Sequence, residues 1–249
     1  MNGDVSLDVL NKKAMQYVKA QDYDHALHIF LQVLQRRKLQ YGAKHAAVAS
    51  DYHNLGTVHS KRAIAMAASK NSEEAQQQCR QQALECFQAA ARTARDALGR
   101  NHPNVAVSLV RIGFLLLQSQ QYQNAIVTFQ EALRIRLEHF GPQHGLVANL
   151  YNNLGVCHMH LGEFTPGRES LQHAMDIQRN TLRTEPTAIH WLELADTLFN
   201  IGGLCLEWIR RQGPDVRRAQ DAEEAFEECV AVSFAVEACR RLRCFCLRY

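Results

Sequence analysis

Cys157-His158-Met159-His160 places a thiol and two imidazoles, all metal ligands by type, within four residues. On a helix, adjacent side chains point about 100° apart, so these four cannot converge on one ion. His158 reads instead as filling a position that an inward aromatic would take. Cys244-Phe245-Cys246 could be oxidised or lipid-modified, or could be a plain tail. The 12 histidines scatter without clustering. No Gly-rich phosphate loop, nucleophile elbow or His-Glu-x-x-His pattern occurs. The expectation is therefore no enzyme, no metal and no cofactor.

Composition narrows the class. The chain has 249 residues, 47% hydrophobic and 21% charged, as in folded proteins. Five prolines and 13 glycines are few for an all-β chain, and abundant Ala, Leu, Gln and Arg favour helix. A net charge of +3 is too weak to imply nucleic acid, and no basic run is interleaved with aromatics. The longest apolar run, Ile112–Leu117, falls far short of the roughly 20 residues of a membrane helix. Met1–Met15 contains Asp4, Asp8, Lys12 and Lys13 and has no apolar stretch of signal-peptide length. Eight cysteines without metal or disulfide spacing read as reduced thiols, which points to the cytoplasm.

The elements emerge from internal repetition. Small residues Ala14, Gly56, Gly113, Gly155 and Gly202 are separated by 42, 57, 42 and 47. A second small-residue series, Ala26, Ala83, Ala125, Gly167 and Ala222, has gaps of 57, 42, 42 and 55. Four residues after each comes a large one: Phe30, Phe87, Phe129, Leu171 and Phe226. A unit of 42 residues, repeated five times with two insertions, explains the gaps apart from five further residues before Gly202. Within a unit the apolar steps are three and four, hence helical. The small residue admits a neighbouring helix closely and the large residue fills the gap. Gly162 should end a helix and Phe164 open the next. Pro103, Pro186 and Pro214 sit at helix starts, and Pro142 and Pro166 in turns or a first turn. Ten antiparallel helices follow, in hairpins at about 5–40, 45–98, 103–140, 145–183 and 187–240, with a tail over 241–249.

Such hairpins bury their apolar faces only by stacking, so the expected fold is an all-α solenoid, one array over 1–249. The second hairpin carries 15 extra residues, and its Asn71-Ser72-Glu73-Glu74 reads as a turn with Asn71 as helix cap and Glu74 completing a capping box. The fifth carries eight extra residues around Gly213-Pro214-Asp215. Both read as tolerated extensions of hairpin tips. The anchor of a sixth first helix, 26 residues after Phe226, would fall beyond Tyr249, so that helix is missing and Phe226, Cys229, Val230, Val232, Phe234 and Val236 are spread around the last helix. That surface is expected to take a partner, a second copy, or Arg240–Tyr249 folded back.

Tyr151-Asn152-Asn153-Leu154-Gly155 through Phe164, and Ile112-Gly113 through Tyr122, Ala125, Phe129 and Ala132, resemble the tetratricopeptide repeat. The 42-residue period and the loops Gly42-Ala43-Lys44-His45, Gly99-Arg100-Asn101-His102 and Gly141-Pro142-Gln143-His144 are similar to kinesin light chains. Two features depart from them: no heptad segment precedes the first hairpin, and Thr184-Glu185-Pro186 lacks the Gly-x-x-His pattern. The resemblance implies a peptide-binding adaptor, with a groove lined by first helices at two residues before each small anchor and one, four and five after it. Two before come Lys12, Asn54, Arg111, Asn153 and Asn200; five after, Lys19 and Lys61. The asparagines could hold a peptide backbone, or simply bond a neighbouring helix. Phe114, Leu117 and Met159 could form apolar pockets or pack within hairpins. Lys12, Lys19, Lys61 and Arg111 make the first three units basic, while Asp196 and Glu207 make the fifth acidic. The expected ligand is an acidic peptide held by Lys12, Asn54, Lys61, Arg111, Asn153 and Asn200. The alternatives are a chaperone cofactor gripping an acidic C-terminal tail and a self-assembling subunit.

Overall fold

The computed structural model describes residues 6–68 and 72–246, with side chains as far as residue 234. These residues form ten α-helices and no strand. They are α1 (Leu7–Lys19), α2 (Tyr23–Tyr41), α3 (Ala46–Ala68), α4 (Glu73–Leu98), α5 (Pro103–Gln118), α6 (Tyr122–Phe140), α7 (Gly145–Leu161), α8 (Phe164–Thr184), α9 (Ala188–Gln212) and α10 (Val216–Cys246). Successive pairs match the five expected hairpins. One bound differs: α10 continues through 241–246, which the sequence reading assigned to a tail.

Local chemistry explains the boundaries. Ser6, Asp22 and Thr187 each accept a hydrogen bond from a backbone N–H of the first turn that follows. At α4 the cap is Ser72, whose hydroxyl accepts from Ala75 N at 3.2 Å. The expected Asn71 cap is thus displaced by one residue. With Ser72 as cap, the third helical position is Ala75, so Glu74 cannot close a capping box. Asn71 itself lies outside the described residues. The three Gly-x-x-His loops share one mechanism. Gly42, Gly99 and Gly141 adopt φ of 85°, 95° and 78°, ending one helix in a region where a side chain would be strained. The histidine three residues on then caps the next helix. His45, His102 and His144 accept through Nδ1 from the N–H groups of Ala47, Asn104 and Leu146 at 3.2, 3.1 and 3.1 Å.

The anchor glycines meet their expected partners. A Cβ on Gly56 would lie 2.9 Å from the Phe87 ring, one on Gly155 2.5 Å from Leu171 and one on Gly202 2.6 Å from Phe226. The helices gather into two compact units, Met1–Leu115 and Leu116–Tyr249. In the first, Ala14, Ala26, Phe30, Val33, Val48 and Leu55 are buried in one core. In the second, Phe164, Leu171 and Leu204 form one cluster, and Leu182, Leu194, Leu198 and Val232 belong to another.

The two insertions are treated differently. In the second hairpin α3 and α4 simply lengthen, to 23 and 26 residues, and Cys79 SH lies 3.7 Å from Met66 Sδ in the extension. In the fifth, α9 and α10 also lengthen, but side chains at the extended end pack on the preceding hairpin. Trp208 stacks on Phe164 at 5.2 Å, takes the Arg218 guanidinium over its ring at 4.2 Å and donates Nε1–H to Gln212. Arg211 lies on the same aromatic group, 5.8 Å from the Phe164 ring.

Candidate functional site

Within the first unit, the first-helix positions two before and five after the anchors carry Lys12, Lys19, Asn54, Lys61 and Arg111. Lys12, Lys61 and Arg111 are exposed and Asn54 is half-buried. Among the described residues the side chains of these last four make no hydrogen bond or ion pair. Beside them stand two buried polar atoms without partners, Asn11 Oδ1 and His53 Nδ1. Asn11 and His53 are each three residues before an anchor. Burial, and then the charge of Arg111, hold the His53 imidazole below its ordinary pKa, so it is neutral at pH 7. A cavity of about 230 Å³ opens among α3, α4 and α5, lined by Ser50, His53, Asn54, Ala94, Asn104 and Ser108, with Ala49 and Val107. Phe114, in the same row of α5, is 39% exposed.

The second unit uses the same positions for internal bonds. Asn200 Nδ2 donates to Asn152 Oδ1 at 3.1 Å, joining the residue two before one anchor to that three before the previous one. Asn149 Nδ2 donates to Glu193 at 3.2 Å. Glu207 accepts from Arg210 and Arg211, each at 2.6 Å, and these bonds push its carboxyl down to about 2. Arg211 also donates to the His160 carbonyl at 3.2 Å, closing the end of α7. Met159 packs with Phe164, Leu171 and Leu204 rather than opening a pocket. Asn153 is half-buried and is the sequence-chosen residue here whose side chain has no bond to another described residue. His158 is 2.6 Å from Glu163, while the His160 ring stacks on Tyr122 at 4.6 Å. The two imidazoles thus serve different partners and do not converge.

The sequence row therefore divides into an unbonded set (Lys12, Asn54, Lys61, Arg111 and Asn153) and a bonded one (Asn200). Sequence reasoning missed Asn11, His53 and the cavity. A signal for the cavity existed. Seven residues after the large residues Phe30, Phe87, Phe129, Leu171 and Phe226 come Arg37, Ala94, Arg136, Gln178 and Ser233, and in the first four hairpins Ala94 alone is small.

Tetratricopeptide repeat models match residues 64–138 and 148–181. Among solved structures, the nearly identical TPR-like repeats of a chain assigned as a kinesin light chain from Podosopora anserina superpose with a TM-score of 0.67 at 17% identity, covering 94% of this chain and 97% of that one. A singly substituted form of those repeats reaches 0.70 at 16% identity, covering 93% and 96%. BtubC (BKLC) from P. vanneervenii gives 0.58 at 16% identity, covering 94% and 93%. At these identities the likeness establishes the shared fold. No curated protein matches the sequence. No helix of the described residues is long and apolar enough to cross a membrane.

Proposed function

Because this chain is a solenoid of tetratricopeptide repeats resembling those of kinesin light chains, we infer that it is a non-catalytic protein-interaction adaptor that holds a short acidic peptide on the first-helix face of its first unit. The supporting observation is the set of unpaired cations there, Lys12, Lys61 and Arg111, beside Asn54 and the partnerless buried atoms of Asn11 and His53. A peptide carboxylate can pair with the cations, while its backbone amides can bond the half-buried Asn54 amide. Asn153 is a further contact within its own unit. Asn200 could contribute only by giving up its bond to Asn152. The cytoplasm suits such an adaptor. The recurrence of the same unit five times, insertions aside, supports reading 1–249 as one array.

Calorimetry with amidated acidic, neutral and basic peptides tests this reading. The acidic peptide should bind with a Kd near micromolar, about −8 kcal/mol, and weaken as salt rises. A preference for the basic peptide would overturn it. If only a free C-terminal carboxylate confers binding, the chaperone-cofactor reading replaces it. A second reading, self-association through α10, draws on the exposure of Val230 (53%) and Phe234 (72%). Light scattering at rising concentration should show mass growth that Phe234→Glu abolishes, and a constant monomer mass would dismiss it.

A further inference from the structure

In the first hairpin the guanidinium of Arg37 sits among three acceptors. It donates to Asp51 Oδ1 at 2.8 Å and to the Ala47 carbonyl at 3.5 Å, and lies 4.0 Å from Asp8 Oδ1. Arg136, at the corresponding position two hairpins later, donates through Nη1 to the Leu146 carbonyl at 2.6 Å. Ala47 and Leu146 correspond as well, each nine residues before its anchor, Gly56 or Gly155. In the second hairpin the arginine position is Ala94. The residues equivalent to Asp8, Ala47 and Asp51 there are Ser50, Asn104 and Ser108, six, nine and five residues before Gly56, Gly113 and Gly113. All three, together with Ala94, line the 230 Å³ cavity. That volume is far above the roughly 10–15 Å³ needed to admit one water. The cavity is thus the space an arginine fills elsewhere, truncated to a methyl group, with its acceptor positions kept as neutral oxygens. The Asn104 carbonyl, beside its helix bond, takes the Ser108 hydroxyl at a long 3.4 Å, a weak bond that a guanidinium can displace.

We propose that this cavity receives an arginine side chain of the bound peptide, its guanidinium standing where Arg37 and Arg136 stand in their own hairpins. The proposal rests on the acidic-peptide reading above and adds one basic residue to that ligand, flanked by the carboxylates that meet Lys61 and Arg111. No charged side chain lines the cavity, but none is required. Arg136 is 7% exposed, and Leu150 takes the position that Asp51 holds beside Arg37. A guanidinium is favoured over an ammonium because its planar fork can serve the Asn104 carbonyl and the hydroxyls of Ser50 and Ser108 at once.

The test is calorimetry with three amidated peptides: acetyl-Glu-Asp-Arg-Asp-Glu and the same sequence with norleucine or citrulline in place of arginine. The arginine form should bind at least about tenfold more tightly than either replacement. Ala94→Arg should abolish that preference without lowering the melting temperature, since the new side chain can reach the Asn104 carbonyl. Ala94→Leu fills the same space without a guanidinium and should likewise abolish it, whether or not the arginine variant folds. Equal binding of the three peptides, or an undiminished preference in Ala94→Leu, overturns the proposal. If the three bind equally but all weaken in Arg111→Glu, the acidic-peptide reading stands and the arginine subsite alone falls. If none binds, both fall.

Discussion

Asn54 and Asn200 occupy equivalent positions, two residues before an anchor glycine, yet they are in opposite states. Asn200 is bonded to Asn152 on the preceding first helix; the Asn54 amide makes no bond among the described residues, and Asn11, which takes the Asn152 position in the repeat register, has a buried amide oxygen without a partner. In the second unit a residue three before one anchor meets one two before the next, and the neighbouring carboxylates of Glu193 and Glu207 are also tied down. In the first unit Asn11 and His53 keep buried atoms without partners, and the cations of the row have none either. Identical residue types can therefore hold a repeat array together or stay available to a ligand. Since Asn11 and Asn152 are alike too, residue type alone does not decide which.

The largest test of this contrast lies beneath the row, at the buried arginines. Arg37 neutralises Asp51, which is fully buried, whereas Arg136 serves only a carbonyl. Arg37→Met should cost about 3 kcal/mol at neutral pH by leaving a buried carboxylate unpaired. Arg136→Met should cost nearer 1 kcal/mol. Urea denaturation measures both, and equal costs would remove the distinction. pH adds a second reading. Burial raises the Asp51 carboxyl to about 6 against the opposing pull of Arg37. The folded pKa lies above the unfolded one, so this group's contribution is fully present below about 4 and is lost as pH rises through about 6. Wild-type stability should show that decline and Asp51→Asn should flatten it. The penalty of Arg37→Met should also shrink in acid, where Asp51 can remain protonated.

Charge reversal on the row comes next. Arg111→Glu should weaken an acidic peptide by roughly 10–30-fold, about 1.4–2 kcal/mol, and reduce the salt dependence of what remains. Arg210→Glu, in the second unit, should leave peptide affinity unchanged. Calorimetry at two ionic strengths reads both, and a comparable loss from Arg210→Glu would erase the difference between the units.

The asparagine pair gives a smaller and reciprocal effect. Asn200→Ala should cost about 1 kcal/mol of stability, for a half-buried hydrogen bond lost, and spare peptide affinity. Asn54→Ala should change stability by less than about 0.5 kcal/mol, since its amide makes no bond, and should weaken binding. Melting curves and titrations on the two variants must move in opposite senses. If both lose stability alike, Asn54 is structural.

The legibility of the molecule followed the same division. The hairpins were readable because Gly56, Gly155 and Gly202 must lie against Phe87, Leu171 and Phe226, and such contacts impose a fixed spacing on the chain. Candidate positions were readable from that register. Their state was not, because a hydrogen bond such as that of Asn200 to Asn152 joins residues far apart in the chain, and the row was compared only with itself. The cavity escaped for a related reason: Ala94 is an ordinary helix residue until it is aligned with Arg37 and Arg136. The displaced cap at α4 shows the limit at shorter range, for Asn71 and Ser72 are both good caps and only geometry selects one.

The smallest expected effect concerns the second hairpin's insertion, which should matter neither to the first unit's core nor to its open row. Among the described residues of 65–78 none is fully buried, whereas Ala63 and Cys79 on either side are 3% and 5% exposed. Deleting Ala65–Gln78 removes the Met66 contact with Cys79 and obliges the trimmed helix ends to unwind into a new turn. The core residues Ala83, Phe87 and Ala90 of α4 keep their own turns, and Gly56 keeps its contact with the Phe87 ring. The cost should stay below about 1 kcal/mol, or roughly 2–4 °C in melting temperature for a chain of this size. Helical circular dichroism should fall only by the share of helix removed, with acidic-peptide affinity retained. Loss of the cooperative transition would show that the extension supports the unit; loss of peptide binding with the fold intact would show that the open row reaches out along it.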